Sequence, residues 1–196
     1  MQHKFSLSGE VYRLRPVLIE DAEYIHNLRS NPLLNEYLHP GSNQLQDQIQ
    51  WLSNYFEREN DYYFVVERID NLEREGLISL YDIRITELNQ GEWGRWILKP
   101  GSLAAVESAF LIYKFAFEVL KLNMVYCRTV ANNLKVVSFH DSCGLNDKKK
   151  LLNYFDLKSS YKFDAIEHKL YKEFWPSVSI NLLRLINLVA LRAKRS

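Results

Sequence analysis

Two stretches of the chain hold residue types that can do chemistry at short range. The first is EWGRWILKPGSLAAVESAF, residues 92–110, which reads as a strand, a Pro–Gly break and a helix. The opening amides of a helix have no partner within it, and together with the helix dipole they form a ready anion site. Gly101, Ser102, Leu103, Ala104 and Ala105 occupy this turn, with Gly101 its only glycine. The same residues also fit an ordinary strand-to-helix corner, with Ser102 as N-cap and Glu107 where the dipole favours it. The second stretch is NNLKVVSFHDSCG, residues 132–144, where Ser138, His140 and Asp141 are neighbours. Of these, histidine titrates near neutrality and is suited to proton transfer. The alternative for His140 is a half-buried helix histidine.

These residues need elements to hold them. VYRLRPV (11–17) alternates as a strand, and IEDAEYIHNLRSN (19–31) has apolar residues at helical spacing before Pro32. QLQDQIQWLSNYFERE (44–59) places Leu45, Ile49, Leu52 and Phe56 on one helical face. YYFVVERI (62–69) and LISLYDIRI (77–85) read as a hairpin, and GEWGRWIL (91–98) as a further strand. The longest apolar-periodic helix spans 102–120, followed by a strand at 124–130 and a short helix at 132–144 closed by Gly144. Two strand-like runs follow, SYKFD and EHKLYKEF. This order predicts a mixed α/β sheet in one domain over 1–176, with a helical extension over 177–196.

Composition limits the function. With 25 basic against 24 acidic residues, nothing global argues for nucleic acid. Cys127 and Cys143 form no C-x-x-C pair and no disulfide framework, so a reducing cytoplasm is the expectation. The first residues, MQHKFSLSGEVYRLRPV, lack the apolar core of a signal peptide.

The element order, with YRLRPVLIEDAEYIHNLR, GLISLYDI, EWGRWILKP, FAFEVLKLNMVY and NNLKVVSFHDSCGL in sequence, resembles the GNAT acyl-CoA N-acetyltransferases, in particular their RimJ/RimL-like branch. The resemblance covers residues 11–175. It implies a GNAT fold: a mixed, mostly antiparallel sheet flanked by helices, here with an extra C-terminal helix. It also implies acetyl-CoA as co-substrate and no metal. Gly101, Leu103 and Ala105 fall on marked positions of the family's phosphate loop. Leu103 replaces a glycine there, which implies less room for the phosphates. Backbone groups of Ile97 and Leu98 are then expected to pair with the pantetheine arm, where the strands at 91–98 and 124–130 splay apart. Asn133 matches the family asparagine that contacts the cofactor, and it also fits a helix N-cap. Cys143 falls on a hydrophobic position and is expected in the core.

Transfer from a thioester needs a neutral amine, hence a base, and a donor to the leaving thiolate. Glu92 matches the family's E-x-G-x-W glutamate and is the candidate base; a strand glutamate is otherwise a solvated side chain. His140 stands where the family has an acidic tyrosine and is the candidate acid.

The segment NEYLHPGSNQLQDQIQWL lies where the family shapes its acceptor pocket. The form L-R-x-N-P … H … Q … W-L resembles acetyltransferases that modify amino groups on nucleotide-linked deoxy-amino sugars. His39, Trp51, Tyr81 and Arg84 are the candidate acceptor-binding residues, with Gln44 and Gln48 beside them. Arg29, Arg84 and Arg95 are candidates for a diphosphate. The alternatives are Trp51 as a core anchor and His39 as a turn residue beside Pro40. A protein N-terminus or a polyamine remains a possible acceptor, and a catalytically degenerate binding module a possible alternative to an enzyme. The tail SINLLRLINLVALRAKRS is apolar around most of a helix. It is expected to dock on its own domain or a second copy, as a homodimer, with a peripheral membrane surface as the other destination.

Overall fold

The computed structural model describes residues 3–39, 41–42, 44–85, 88–145, 147–157 and 162–193, with side chains to 190. Its centre is an eight-stranded sheet. The strands are β1 (Leu7–Ser8), β2 (Tyr12–Pro16), β3 (Tyr62–Arg68), β4 (Arg74–Arg84), β5 (Gln90–Leu98), β6 (Met124–Val130), β7 (Asp147–Phe155) and β8 (Phe163–Tyr171). They lie in the order β1-β2-β3-β4-β5-β6-β8-β7, and every neighbouring pair is antiparallel except β5–β6.

The helices are α1 (Ala22–Ser30), α2 (Leu45–Tyr55), α3 (Ala105–Lys114), α4 (Leu134–Ser142) and α5 (Trp175–Ala193). Strand alternation divides the core in two. On β3, Phe64 and Val66 face one cluster with Leu111, Ile112 and Phe115. Tyr63 and Val65 face the other, with Ile25, Leu28 and Leu52 of α1 and α2. The mixed sheet flanked by helices is the expected fold class.

Three elements depart from the sequence reading. The helix expected from 102 starts at Ala105 and ends in a π-helical turn, Phe115–Val119. Phe115, Ala116 and Phe117 of that turn are all buried in the core. The two expected C-terminal strand runs are one strand, β8, and the edge strand β7 had no counterpart. DKKKLLNYF is exposed along nearly its whole length, so no apolar alternation marks it.

The C-terminal helix lies on its own domain. Trp175, Val178, Leu182 and Ile186 recur at three- and four-residue spacing and are buried against the α3 side of the sheet. Each contributes about 1.5–3 kcal/mol of burial. Ile180, Leu183 and Leu188 stay exposed. Among the described residues, no helix is long and apolar enough to cross a membrane.

Candidate functional site

The sheet splits at its middle. The parallel β5–β6 ladder holds only three pairs, Gln90–Met124, Gly91–Val125 and Glu92–Tyr126. Beyond Glu92, β5 pairs with β4 alone, while β6 continues with β8 from Cys127–His168 to Val130–Ala165. The β6-facing edge of Trp93–Leu98 is therefore left without a ladder. Ile97 and Leu98 are on this open edge, paired on the far side with Leu77 and Gly76. Leu98 lies six positions beyond Glu92, about 20 Å of strand.

At the end of that edge lies the turn into α3. Gly101 has φ +81 with open space around its Cα, so the backbone conformation and not crowding requires glycine. Ser102 does not cap the helix start; its Oγ accepts the Ala104 amide at 3.2 Å. Among the described residues nothing accepts the amides of Leu103, Ala105 or Val106. Leu103 turns its side chain toward α5, into a narrow crevice with Val106, Ile186 and Val189. A leucine at this position therefore does not fill the turn. Glu107 lines the same crevice and accepts the amides of Glu10 and Val11. An open strand edge leading to free amides suits a pantetheine arm and a pyrophosphate, so these residues fit acetyl-CoA.

Glu92 is the last residue of the short parallel ladder and is mostly enclosed. Burial pushes its carboxyl above the usual glutamate range, partly offset by Arg128 and by the Tyr81 hydroxyl. Arg128 Nη1 donates to Glu92 at 3.0 Å and its Nε to Glu167 at 2.8 Å. Its guanidinium also lies over the rings of Tyr126 and Tyr154, 4.5 and 5.1 Å from their centroids. Tyr126 donates to Asp82 at 2.7 Å. Sequence reasoning missed Arg128 and Tyr126. The signal was available: on β6 they alternate with the buried Val125 and Cys127.

His140 lies elsewhere. It is only 2% exposed, with Trp93 at 5.1 Å between ring centroids, His168 at 5.1 Å and Cys127 Sγ at 3.6 Å. Burial, with His168 beside it, lowers its pKa to about 3. The ring is neutral at working pH, and the buried-histidine alternative describes its surroundings. Next to it, Phe139 meets Trp96 of β5 at 4.9 Å between centroids. Asn133 is the N-cap of α4 and accepts from Val136 at 3.4 Å. Cys143 is core, its thiol pushed up to about 12 by burial.

On the α1–α2 side of the sheet lies a cavity of about 850 Å³. It gathers His39, Gln48, Trp51, Tyr81, Arg29 and Arg95, all candidates from the sequence, together with His26, Arg58 and Tyr63. Trp51 stacks on Tyr55 with 2° between planes, so it both anchors packing and forms a wall. Arg84 is not part of the cavity. It lies further along β4, past an irregularity at Asp82 (φ +49), where it is exposed and pairs with Asp82 at 3.0 Å. Gln44 is exposed and also outside. Three arginines line the cavity against one carboxylate, Asp47. Asp61 takes Arg95 through two bonds of 2.6 and 2.9 Å and lies 3.6 Å from Arg58. Arg29 donates to the His39 carbonyl at 3.3 Å and has no carboxylate partner among the described residues.

The family model described as "Acetyltransferase (GNAT) domain" matches residues 12–146. A solved structure described as an apo nucleotide-linked sugar GNAT, FdhC, is 32% identical, with 93% of this chain and 98% of that one covered and a TM-score of 0.76. The spermidine N-acetyltransferase of Vibrio cholerae, solved with CoA and spermine, is 20% identical over 84% of this chain and 97% of its own, with a TM-score of 0.74. A putative acetyltransferase from T. thermophilus is 21% identical over 94% and 98%, with a TM-score of 0.78. No curated protein matches the chain.

Proposed function

The chain belongs to the GNAT family and is an acyl-CoA N-acetyltransferase, and from that premise we propose that its acceptor is the amino group of a nucleotide-linked deoxy-amino sugar. The observation that carries this reading is the cavity's spare cation: Arg95 and Arg58 share Asp61, while Arg29 has no carboxylate partner among the described residues. A polycationic amine would meet repulsion there, whereas a diphosphate would find guanidinium groups suited to it. Trp51 offers flat apolar surface for a base or a sugar face. The likeness to a nucleotide-linked sugar GNAT supports the same reading.

In this reading acetyl-CoA lies along the open edge at Ile97 and Leu98, its phosphates toward the turn at 101–105 and its free amides at Leu103, Ala105 and Val106, with Asn133 nearby at the start of α4. Glu92 is the base that receives the acceptor's proton. His140 supports the cleft wall.

The test is a panel of amines assayed for release of free thiol from acetyl-CoA: UDP- and dTDP-linked amino-deoxyhexoses, the free amino sugars, spermine and a short peptide. Turnover of a nucleotide-linked amine well above that of its free sugar is expected, and Arg29→Ala should raise its KM. Faster turnover of spermine or the peptide would overturn the assignment.

A further inference from the structure

Glu92 does not line the acceptor cavity; Tyr81 does. Tyr81 and Glu92 are directly opposed across the β4–β5 ladder, which puts both side chains on one face of the sheet. The Tyr81 hydroxyl and the Glu92 carboxylate are neighbours on that face, close enough for each to shift the other's proton affinity.

Two neighbours fix the ring. A Cβ on Gly94 would lie 2.6 Å from the Tyr81 hydroxyl and 3.2 Å from its ring, so the hydroxyl occupies space that only glycine leaves. The Arg95 guanidinium lies 4.4 Å from the ring centroid. The glycine of E-x-G thus makes room for a tyrosine on the adjacent strand.

We propose that Tyr81 is a catalytic residue that carries the acceptor's proton from the cavity to Glu92. The step balances as follows. The acceptor ammonium gives one proton to Tyr81 Oη while the Tyr81 hydroxyl proton passes to a Glu92 oxygen. Tyrosine ends neutral, glutamate protonated and the amine free. The amine lone pair then forms the bond to the thioester carbonyl carbon, the C–S bond breaks, and the thiolate leaves with the proton shed by the acylated nitrogen. Glu92 returns its proton to solvent.

Electrostatics agree with these roles. Burial raises the Tyr81 phenol above its ordinary value, so it transmits protons as the neutral form. Burial also raises Glu92, which improves it as an acceptor. The charged groups around the pair are Arg128 and Glu167 from the β6–β8 side, Asp82 on β4 and Arg95 on β5.

The proposal rests on the acetyltransferase reading but not on the sugar. The assay uses whichever panel amine turns over fastest, so a polyamine or peptide winning would remove the sugar and still test Tyr81. Y81F should lose tenfold or more in kcat with little change in KM. The lost rate should return as pH rises and more of the amine is already free, a recovery that a packing role would not give. Y81F/E92Q should be no slower than E92Q, because both act on one proton path. G94A, which keeps the hydroxyl but displaces it, should resemble Y81F. Y81F within twofold of the parent at pH 7, a loss independent of pH, or additive losses in the double variant would overturn the relay. No transfer to any amine would overturn it too.

Discussion

Arg128 reaches from β6 across the point where the sheet divides and binds Glu92, the last residue paired with β6 on β5, at 3.0 Å. Its second arm holds Glu167. The guanidinium therefore opposes the effect of burial on Glu92, which is pushed up by desolvation and held down by Arg128. A base works only when deprotonated, so activity should rise with pH through the Glu92 pKa. Arg128→Gln removes the stabilising charge. The acid limb of the kcat/KM profile should then move to higher pH by about one unit. An unmoved limb would mean that another group titrates there.

Leu103 stands at the phosphate turn but packs toward Ile186 and Val189 of α5. Leu103→Gly should leave acetyl-CoA affinity within about threefold, since no bulk leaves the turn, and should lower the melting temperature. A loss of tenfold or more in affinity, by calorimetric titration, would show that the leucine shapes the turn directly. Leu182→Ala, on the buried face of α5, should cost about 2–5 kcal/mol. For a chain of this length that is a fall on the order of 10 °C in melting temperature.

What the sequence made legible, and what it hid, follows from physical scale. The strand–break–helix and the glutamate before glycine were readable because each is local: the backbone demands glycine at 101, and the ring of Tyr81 demands it at 94. The cavity was readable in its helical half, through His39, Gln48 and Trp51. Arg84 was misplaced because it shares a strand with Tyr81 but not the cavity: three residues further along β4, past the irregularity, it pairs with Asp82 instead. His140 kept the right position in the chain, yet its environment comes from Trp93, Cys127 and His168, on strands distant in sequence. Arg128 joins Glu92 only because β5 and β6 run parallel for three residues, a pairing that no nearby pattern encodes.

His140 offers a direct check by nuclear magnetic resonance. Its pKa is lowered to about 3, so its ring carbons should show no titration between pH 8 and 4.5. An unfolded histidine titrates near 6.5. The sign follows: a depressed histidine contributes stability above the unfolded pKa and loses it as pH falls toward the folded one. Urea denaturation should show declining stability below about pH 6.5, and His140→Phe should flatten that decline.

Glu107 makes the opposite case. Its carboxylate is buried at the start of α3 and accepts the amides of Glu10 and Val11, tying the β1–β2 turn to the helix. Burial raises its pKa above the ordinary glutamate value despite those bonds. The protonated form is thus favoured by folding, and this contribution is present below the unfolded pKa and lost as pH rises through the folded one. Glu107→Gln keeps an acceptor oxygen without the charge. It should leave stability at pH 7 unchanged or raised, and remove part of the pH dependence just above the unfolded glutamate pKa. Glu107→Ala leaves two amides without an acceptor and should cost about 1–3 kcal/mol at every pH. Gly9→Ala should be costly too, because its Cβ would occupy the place of the Glu107 carboxylate. If Glu107→Gln is as destabilising at pH 7 as Glu107→Ala, the charge and not the acceptor oxygen holds the turn.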